Sequence, residues 1–507
     1  MPTSVNSKRE RLLNLGIRVL LPLSLAGVLV AVMMGEKARI DVELQLFMQR
    51  EVKPGEDIAI RGLLLTHLHD AEGPRLETAR ADLVLRTQGG RVEARTRLVP
   101  TAAMSLEGSL HIPSNLSGRY YVEANAVAQG ETARTFAALD ITPRARPLTT
   151  RGRSAFFTQQ ESVAAMQRQP GETPPRVLEP RILGGACIPA AQCDVLVRVG
   201  EPASAVELVP SEAIRPLPLA DEARQETSSI VPVSFTLDGP EGETDLRATR
   251  GGRLVGVRRF QVPVALGEPS LSIPESVVES PARPMLTIRN VETSRAIIVD
   301  GFRDGMWERT GVVSEEAAKQ GPVAIPFAPL TPGTWRIQVR TDPFTADSAA
   351  TRMLRVVERG TPPEAALRSA ISLDVTPSQP PPGTDLRALK LHAAYALAAQ
   401  ERDRMNLPEP WSGQRESAEQ IARAKWRVRV FGTIGLALIA IVVSLIVARR
   451  GLRSASEARA LMAEAGDPGA SDPKVRRRQT LTLLLMVALI VLFFVTTITF
   501  VIARTSF

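Results

Sequence analysis

Hydrophobic positions along this chain follow two patterns. Between residues 36 and 429 they come in short alternating stretches broken by Pro and Gly, and near the ends they merge into long uncharged runs. Ile40–Met48 alternates apolar and polar residues, as a strand with one buried face requires. A Lys53-Pro54-Gly55-Glu56 turn follows, then strand-like stretches at Ile58–Leu65, Leu83–Arg86, Val92–Leu98, Tyr120–Val127 and Arg134–Ile141. Short strands at this spacing, with no helical period among them, predict a β-sandwich.

The pattern repeats. Gly118–Ala124, Gly242–Ala248 and Gly333–Val339 are each a Gly-led turn into a partly alternating strand. Each is followed by a strand that ends its unit: Phe136–Ile141, Leu254–Val264 and Arg352–Val357. They read as the last hairpin of three successive sandwiches, at 36–141, 176–268 and 269–358, with an Arg-, Gln- and Pro-rich linker at 142–175 between the first two. Units of this size bury a core of their own.

The first unit resembles a macroglobulin-type domain. Lys53-Pro54-Gly55-Glu56-Asp57-Ile58, then Gly108-Ser109-Leu110, Ile112-Pro113 and Ser117-Gly118-Arg119-Tyr120-Tyr121-Val122 follow that family's turn-then-strand opening and its closing Gly-x-Tyr-x-Val strand. The resemblance covers residues 40–141 and implies a fold only. The thioester Cys-Gly-Glu-Gln of the protease-trapping members is absent from this sequence.

The uncharged runs are Val19–Gly35, Val430–Ala448 and Thr480–Ala503, of 17, 19 and 24 residues. Their lengths predict three transmembrane helices. The first has a second reading, as a cleaved signal peptide with a basic start, although no small-x-small cleavage site stands out. Lys8, Arg9, Arg11 and Arg18 precede the first run, and eight Arg or Lys residues lie in 449–479. The positive-inside rule then puts the tail 1–18 and the loop 449–479 in the cytoplasm, and 36–429 and the tail 504–507 outside. Residues 359–429 carry Thr361-Pro362-Pro363 and Gln379-Pro380-Pro381-Pro382-Gly383. A helix capped by Thr384 or Asp385 follows, with Leu386, Leu389, Ala393 and Leu397 at helical spacing and read as a surface helix; a second helix from Glu416 runs into the second span. The expected fold is thus mainly β: tandem Ig-like or macroglobulin-like β-sandwiches in a large extracytoplasmic region, three transmembrane α-helices, and a helical membrane-proximal segment.

Charge changes the picture in one respect. The chain carries a formal +8, but its excess lies in the flanks of the apolar runs, and the region 36–429 is balanced. The basic balance reads as topology rather than as a nucleic-acid footprint. An Arg- and Ala-rich, Lys-poor composition points to a bacterial inner membrane, with the bulk of the chain in the periplasm.

Candidate chemistry is sparse. Cys187 and Cys193 are the only cysteines; they are read as a structural disulfide closing a small loop, the alternative being a redox pair or half of a metal site. His67, His69 and Asp70 form a trio that binds zinc only with a further ligand, and the remaining histidines are His111 and His392. Asp300-Gly301 and Asp304-Gly305 read as turns rather than calcium loops. No cofactor or catalytic motif is expected. Trp307, between a Gly turn and two charged residues, has two readings: an exposed interaction anchor, or a core residue of the third unit. The chain therefore reads as a non-enzymatic, membrane-anchored scaffold or accessory subunit of a bacterial envelope complex. Its expected partners are other membrane or periplasmic proteins and the lipid bilayer. The alternatives are a receptor relaying periplasmic binding to a cytoplasmic partner, and a metal-dependent periplasmic hydrolase using His67, His69 and Asp70.

Overall fold

The computed structural model describes residues 42–67, 74–151, 178–200, 205–218, 229–239, 242–264, 269–289, 296–314, 316, 322–342, 350–374, 380–401, 404–464, 477 and 481. Residues 41–414 form one compact unit, and the segment from residue 415 onward belongs to another.

The first sandwich comprises β1 (Val42–Phe47), β2 (Glu51–Val52), β3 (Asp57–Thr66), β4 (Arg75–Leu76), β5 (Ala81–Thr87), β6 (Val92–Pro100), β7 (Leu106–His111), β8 (Gly118–Ala128) and β9 (Glu131–Ile141). The strand order is β1-β3-β7-β6-β5-β8-β9-β2, with β4 on β3. Alternation places Ala133, Ala137, Leu139 and Ile141 of β9 in the core beside Leu44, Ile58, Ile60 and Leu83. β6 joins the two layers: it pairs with β5 through Leu98, then with β7 through Val99 and Pro100. At that crossing a Cβ on Gly108 would lie 2.8 Å from Leu98 Cδ2 and 3.1 Å from the Arg97 carbonyl oxygen. Only glycine lets the strands approach so closely.

The chain passes through β10 (Thr150–Arg151) to the second sandwich, formed by β11 (Glu179–Ile182), β12 (Gln192–Arg198), β13 (Ala205–Leu208), β14 (Ile214–Pro216), β15 (Ile230–Leu237), β16 (Gly242–Arg250) and β17 (Arg253–Val262). One sheet runs β11-β12-β15-β14 and the other β13-β16-β17. The third sandwich has β18 (Ser270–Ser272), β19 (Val277–Glu279), β20 (Met285–Arg289), β21 (Ile297–Arg303), β22 (Met306–Val313), β23 (Val323–Pro326), β24 (Gly333–Arg340) and β25 (Ala350–Val357), in sheets β18-β20-β23 and β19-β25-β24-β21-β22. The three Gly-led repeats are antiparallel pairs: β8 with β9, β16 with β17, and β24 with β25.

After the third sandwich come α1 (Pro363–Ile371), α2 (Leu386–Ala398) and β26 (Arg404–Met405). Asp385 caps α2 by accepting a hydrogen bond from the Ala388 N–H at 2.7 Å. The expected surface helix is instead largely buried from Ala388 onward, with Leu386, Arg387 and Lys390 exposed: Leu389, Ala393 and Leu397 pack with Met353, Leu367, Ala370 and Ile371, and Tyr395 packs with Leu196 and Ile230 of the second sandwich. The helix has two apolar faces because it is wedged between two sandwiches. β26 then pairs with β10, and Trp411 exchanges two backbone hydrogen bonds of 2.8 Å with Leu46 of β1. The segment 359–414, expected as a linker leading to a membrane, therefore returns to the first sandwich.

α3 spans Gly413–Glu464 in 52 residues and contains the whole of the run Val430–Ala448. It continues past that run through Arg449, Arg450 and Arg453 to Glu464. No helix among the described residues is long and apolar enough to cross a membrane. This overturns the expectation of three transmembrane helices. An uncharged run is a property of local composition, whereas a span needs a helix that is apolar over the thickness of the bilayer. Val19–Gly35 and all of Thr480–Ala503 except Leu481 lie outside the described residues, as do the tails 1–18 and 504–507.

Candidate functional site: a charged seam between the first and third sandwiches

β3 is buried on both faces. Ile58, Ile60 and Leu64 enter the first core, while Ala59 and Leu63 join Phe47, Phe302, Trp307 and Met405 in a second cluster shared with the third sandwich. Arg61 also points to that second side, with no exposed surface. Its Nε donates to Glu107 Oε1 at 2.5 Å, and its Nη2 donates to Asp300 Oδ1 at 2.9 Å and to Thr310 Oγ1 at 3.0 Å. Strand register makes this possible, because Arg61 lies opposite Glu107, and Asp300 opposite Thr310. Thr310 Oγ1 donates to Glu107 Oε2 at 2.7 Å, Ser105 donates to Glu107 Oε1 at 2.7 Å, and Arg340 Nη2 lies 2.7 Å from Asp300 Oδ2. Two arginines and two carboxylates balance, as buried charge must. Burial opposes the charge on Arg61, but Asp300 and Glu107 outweigh it and hold its pKa above the usual value. Burial dominates at Glu107, whose pKa is raised, and at Arg340, whose pKa is lowered.

Trp307 is fully buried at the centre of this seam. Its backbone N–H donates to Gln49 Oε1 at 2.6 Å, and its indole N–H faces Asp300 Oδ1 at 3.2 Å and the Arg309 carbonyl oxygen at 3.1 Å. The Arg61 guanidinium lies 5.3 Å from the ring centroid. The exposed-anchor reading of Trp307 is therefore corrected. Of the flanking charges that suggested a solvent-facing strand end, Arg309 pairs with Asp57 of the first sandwich and Glu308 with Arg303 of its own.

The macroglobulin-like turn takes part directly. Glu56 accepts from Arg303 at 2.9 Å, Asp57 accepts from Arg309 at 2.7 Å, and His111 Nδ1 lies 2.7 Å from Asp57. Burial works against ionised Asp57, but the bonds from Arg309 and His111 hold its pKa low. Arg303 also donates to Glu308 at 2.6 Å. Burial pushes the Glu308 carboxyl up to about 7; Arg303 works against the rise and Glu56 adds to it.

A second seam joins the second and third sandwiches through the helices. Arg181 donates to Asp374 and to the Tyr395 carbonyl oxygen, both at 2.8 Å, with its guanidinium 3.9 Å from the Tyr395 ring centroid. Glu401 accepts from the Gly184 N–H at 2.6 Å, on the second sandwich, and from the Met353 N–H at 2.9 Å, on the third. His392 lies 3.2 Å from Ser229 Oγ.

The other expected residues stand apart from both seams. Cys187 and Cys193 are disulfide-bonded, with Cα atoms 5.4 Å apart, in the core of the second sandwich. His67 Nε2 lies 3.2 Å from Glu43, while His69 and Asp70 lie outside the described residues. No group of three metal-ligating side chains occurs among the described residues. The sequence reading missed Arg61, Glu107 and Arg340, since a charge on an alternating strand reads as solvent-facing, and it took Asp300-Gly301 as a turn, whereas both residues lie inside β21. The one available signal was the nearly unbroken apolar run on either side of Arg61, which marks a strand buried on both faces.

No family model matches this chain, and no curated protein does. Similar solved structures include Escherichia coli alpha-2-macroglobulin activated by porcine elastase, at 13% identity and TM-score 0.25, over 62% of this chain and 44% of that one. The BSP domain of a biofilm-associated protein aligns at 12% identity and TM-score 0.20, over 65% of this chain and 70% of its own. The Escherichia coli adhesin FdeC aligns at 10% identity and TM-score 0.16, over 62% of this chain and 97% of its own. The chain spans less than half the length of the macroglobulins it is similar to. Macroglobulin structures are thus among its structural neighbours.

Proposed function

We propose that the protein is a non-enzymatic binding scaffold whose linked β-sandwiches present fixed surfaces to partner proteins of a bacterial envelope complex. One observation carries this reading. A group of buried ionisable side chains joins the first and third sandwiches: Arg61 and Glu107 meet Asp300 and Thr310, and Glu56 meets Arg303. Charge placed in this way fixes one domain arrangement, which suits a scaffold, rather than converging on an open cleft as a catalytic site does. The Cys187–Cys193 bond supports an oxidising compartment such as the periplasm. Chemical crosslinking in the native host followed by affinity isolation of the full chain tests the proposal. A defined protein partner in fixed stoichiometry is expected, and recovery of the chain alone and monomeric refutes it.

A further inference from the structure

Sheet edges are the natural binding surfaces of a sandwich, and in this molecule they are unequal. Among the described residues the terminal strands β11, β13, β14, β18, β19 and β23 are three or four residues long, and β2 only two. β1 is met by Trp411, and β22 packs against β3 and β7 of the first sandwich. β17 is different. It has ten residues, it ends the β13-β16-β17 sheet, and no described strand pairs with its outer side. Its C-terminal continuation is covered, since the Cys187 N–H donates to the Pro263 carbonyl oxygen at 2.8 Å, which leaves Arg253–Gln261 as the stretch with no strand partner on its outer side among the described residues.

The side chains along that stretch define what it takes. Leu254 and Val257 are 53% and 37% exposed, large apolar residues on an otherwise polar rim. Arg247, Arg250, Arg253, Arg258 and Arg259 all fall on this hairpin, and no acidic residue occurs from Leu246 to Val262. Several of these arginines are already engaged: Arg258 donates to the Leu178 carbonyl oxygen at 2.6 Å, Arg259 engages Glu243 at 2.8 Å and stands opposite Asp245 in the register, and Arg247 stands opposite Glu207 of β13. A register shift at Ala248/Thr249 interrupts the pairing just below the tip that carries the exposed Arg250 and Arg253. Long open edges invite pairing with another strand, and like charge along an edge opposes pairing with a second copy. An Arg-rich edge with apolar residues interspersed therefore selects a strand that alternates apolar and acidic residues.

We infer that the β17 edge binds an extended, acidic segment of a partner protein by strand addition. This rests on the protein-binding reading above and names the site and the chemistry of the partner. Backbone hydrogen bonds supply affinity without sequence preference, Leu254 and Val257 supply apolar contact, and the arginines supply selectivity for charge.

The test uses the full chain and blocked eight-residue peptides of alternating Glu and Val, with Lys and Val peptides as the control. Saturable binding of the Glu peptide is expected, weakening at least tenfold between low and high salt, with the Lys peptide at least tenfold weaker. In the Arg250→Glu/Arg253→Glu variant, at the exposed hairpin tip, the preference should shift toward the Lys peptide. Hydrogen exchange on the unmodified chain gives an independent reading: the Glu peptide should slow exchange in residues 253–261. Four results would each overturn the inference: no saturable binding, equal binding of both peptides, protection elsewhere than 253–261, or dimerisation of the chain through β17. Binding of an oligonucleotide or of anionic vesicles to this edge, with no peptide binding, also overturns it. If crosslinking recovers a protein partner but the peptides fail, the scaffold reading stands and this site falls.

Discussion

Replacing Trp307 by alanine should be among the most damaging single changes in the first and third sandwiches. The indole has no exposed surface and packs with Phe47, Ala59, Leu63, Phe302 and Met405. A buried Trp removes about 150–250 Å² from water, and at about 25 cal/mol per Å² that is worth at most about 4–6 kcal/mol. Part of this is recovered in the unfolded chain. Truncation of buried aromatic residues to Ala costs about 3–5 kcal/mol, and we expect the upper half of that range. The indole N–H contact with Asp300 and the Arg61 guanidinium over the ring are lost together. The assay is urea denaturation of the full chain followed by far-ultraviolet circular dichroism, comparing midpoints and slopes. Trp307→Phe is the informative companion. It keeps most of the apolar contact but leaves Asp300 and the Arg309 carbonyl without that donor, so about 1–2 kcal/mol should be lost. A loss below about 1 kcal/mol for Trp307→Ala would refute the placement of this residue at the centre of the seam.

Three further outcomes follow from the same geometry. Asp300→Asn leaves the buried Arg61 and Arg340 short of a compensating charge, so a loss of about 3–5 kcal/mol is expected by denaturation; an unchanged midpoint would count against the network. Glu308 is raised from 4.5 to about 7 in the folded chain, so its protonated form favours folding. That contribution is complete below pH 4.5 and is lost as pH rises through about 7, at most about 3 kcal/mol. In Glu308→Gln the decline in stability between pH 5 and pH 8 should flatten, and an unaltered slope in a denaturation series across that range would exclude the effect. Replacing both Cys187 and Cys193 by Ser opens a loop with a sequence separation of 6. By loop entropy it should cost about 2 kcal/mol, with faster hydrogen exchange confined to the second sandwich; loss of protection throughout 41–414 would show that the bond does more than staple one core.

Reading the sequence worked where one face of an element decides its structure. β9 alternates from Ala133 to Ile141, and each second residue enters the core. Two of the Gly-led hairpins are visible because a glycine with positive φ starts the strand, at Gly118 and Gly333. The reading failed where an element has two buried faces or where local composition stands in for its surroundings. Leu386–Ala398 has the spacing of a surface helix, yet Tyr395 on its other side is buried against Leu196 and Ile230. Val430–Ala448 is uncharged enough to suggest a span, yet it is the middle of a helix that continues through charged residues to Glu464.

The sequence by itself determined the mainly β character of this chain, its terminal hairpins and the neighbouring cysteines that pair. These depend on interactions within a few residues or across a tight turn, which periodicity and turn chemistry record. Only the tertiary structure decided that Arg61 meets Asp300 across 239 positions of sequence, and that Trp307 is a contact within the chain. It also decided that residues 404–411 return to the first sandwich. The physical reason is that alternation states which face of a strand is buried but not what covers it. A buried charge is tolerated only once its partner arrives from a distant strand, and that pairing leaves no local mark in the residues on either side.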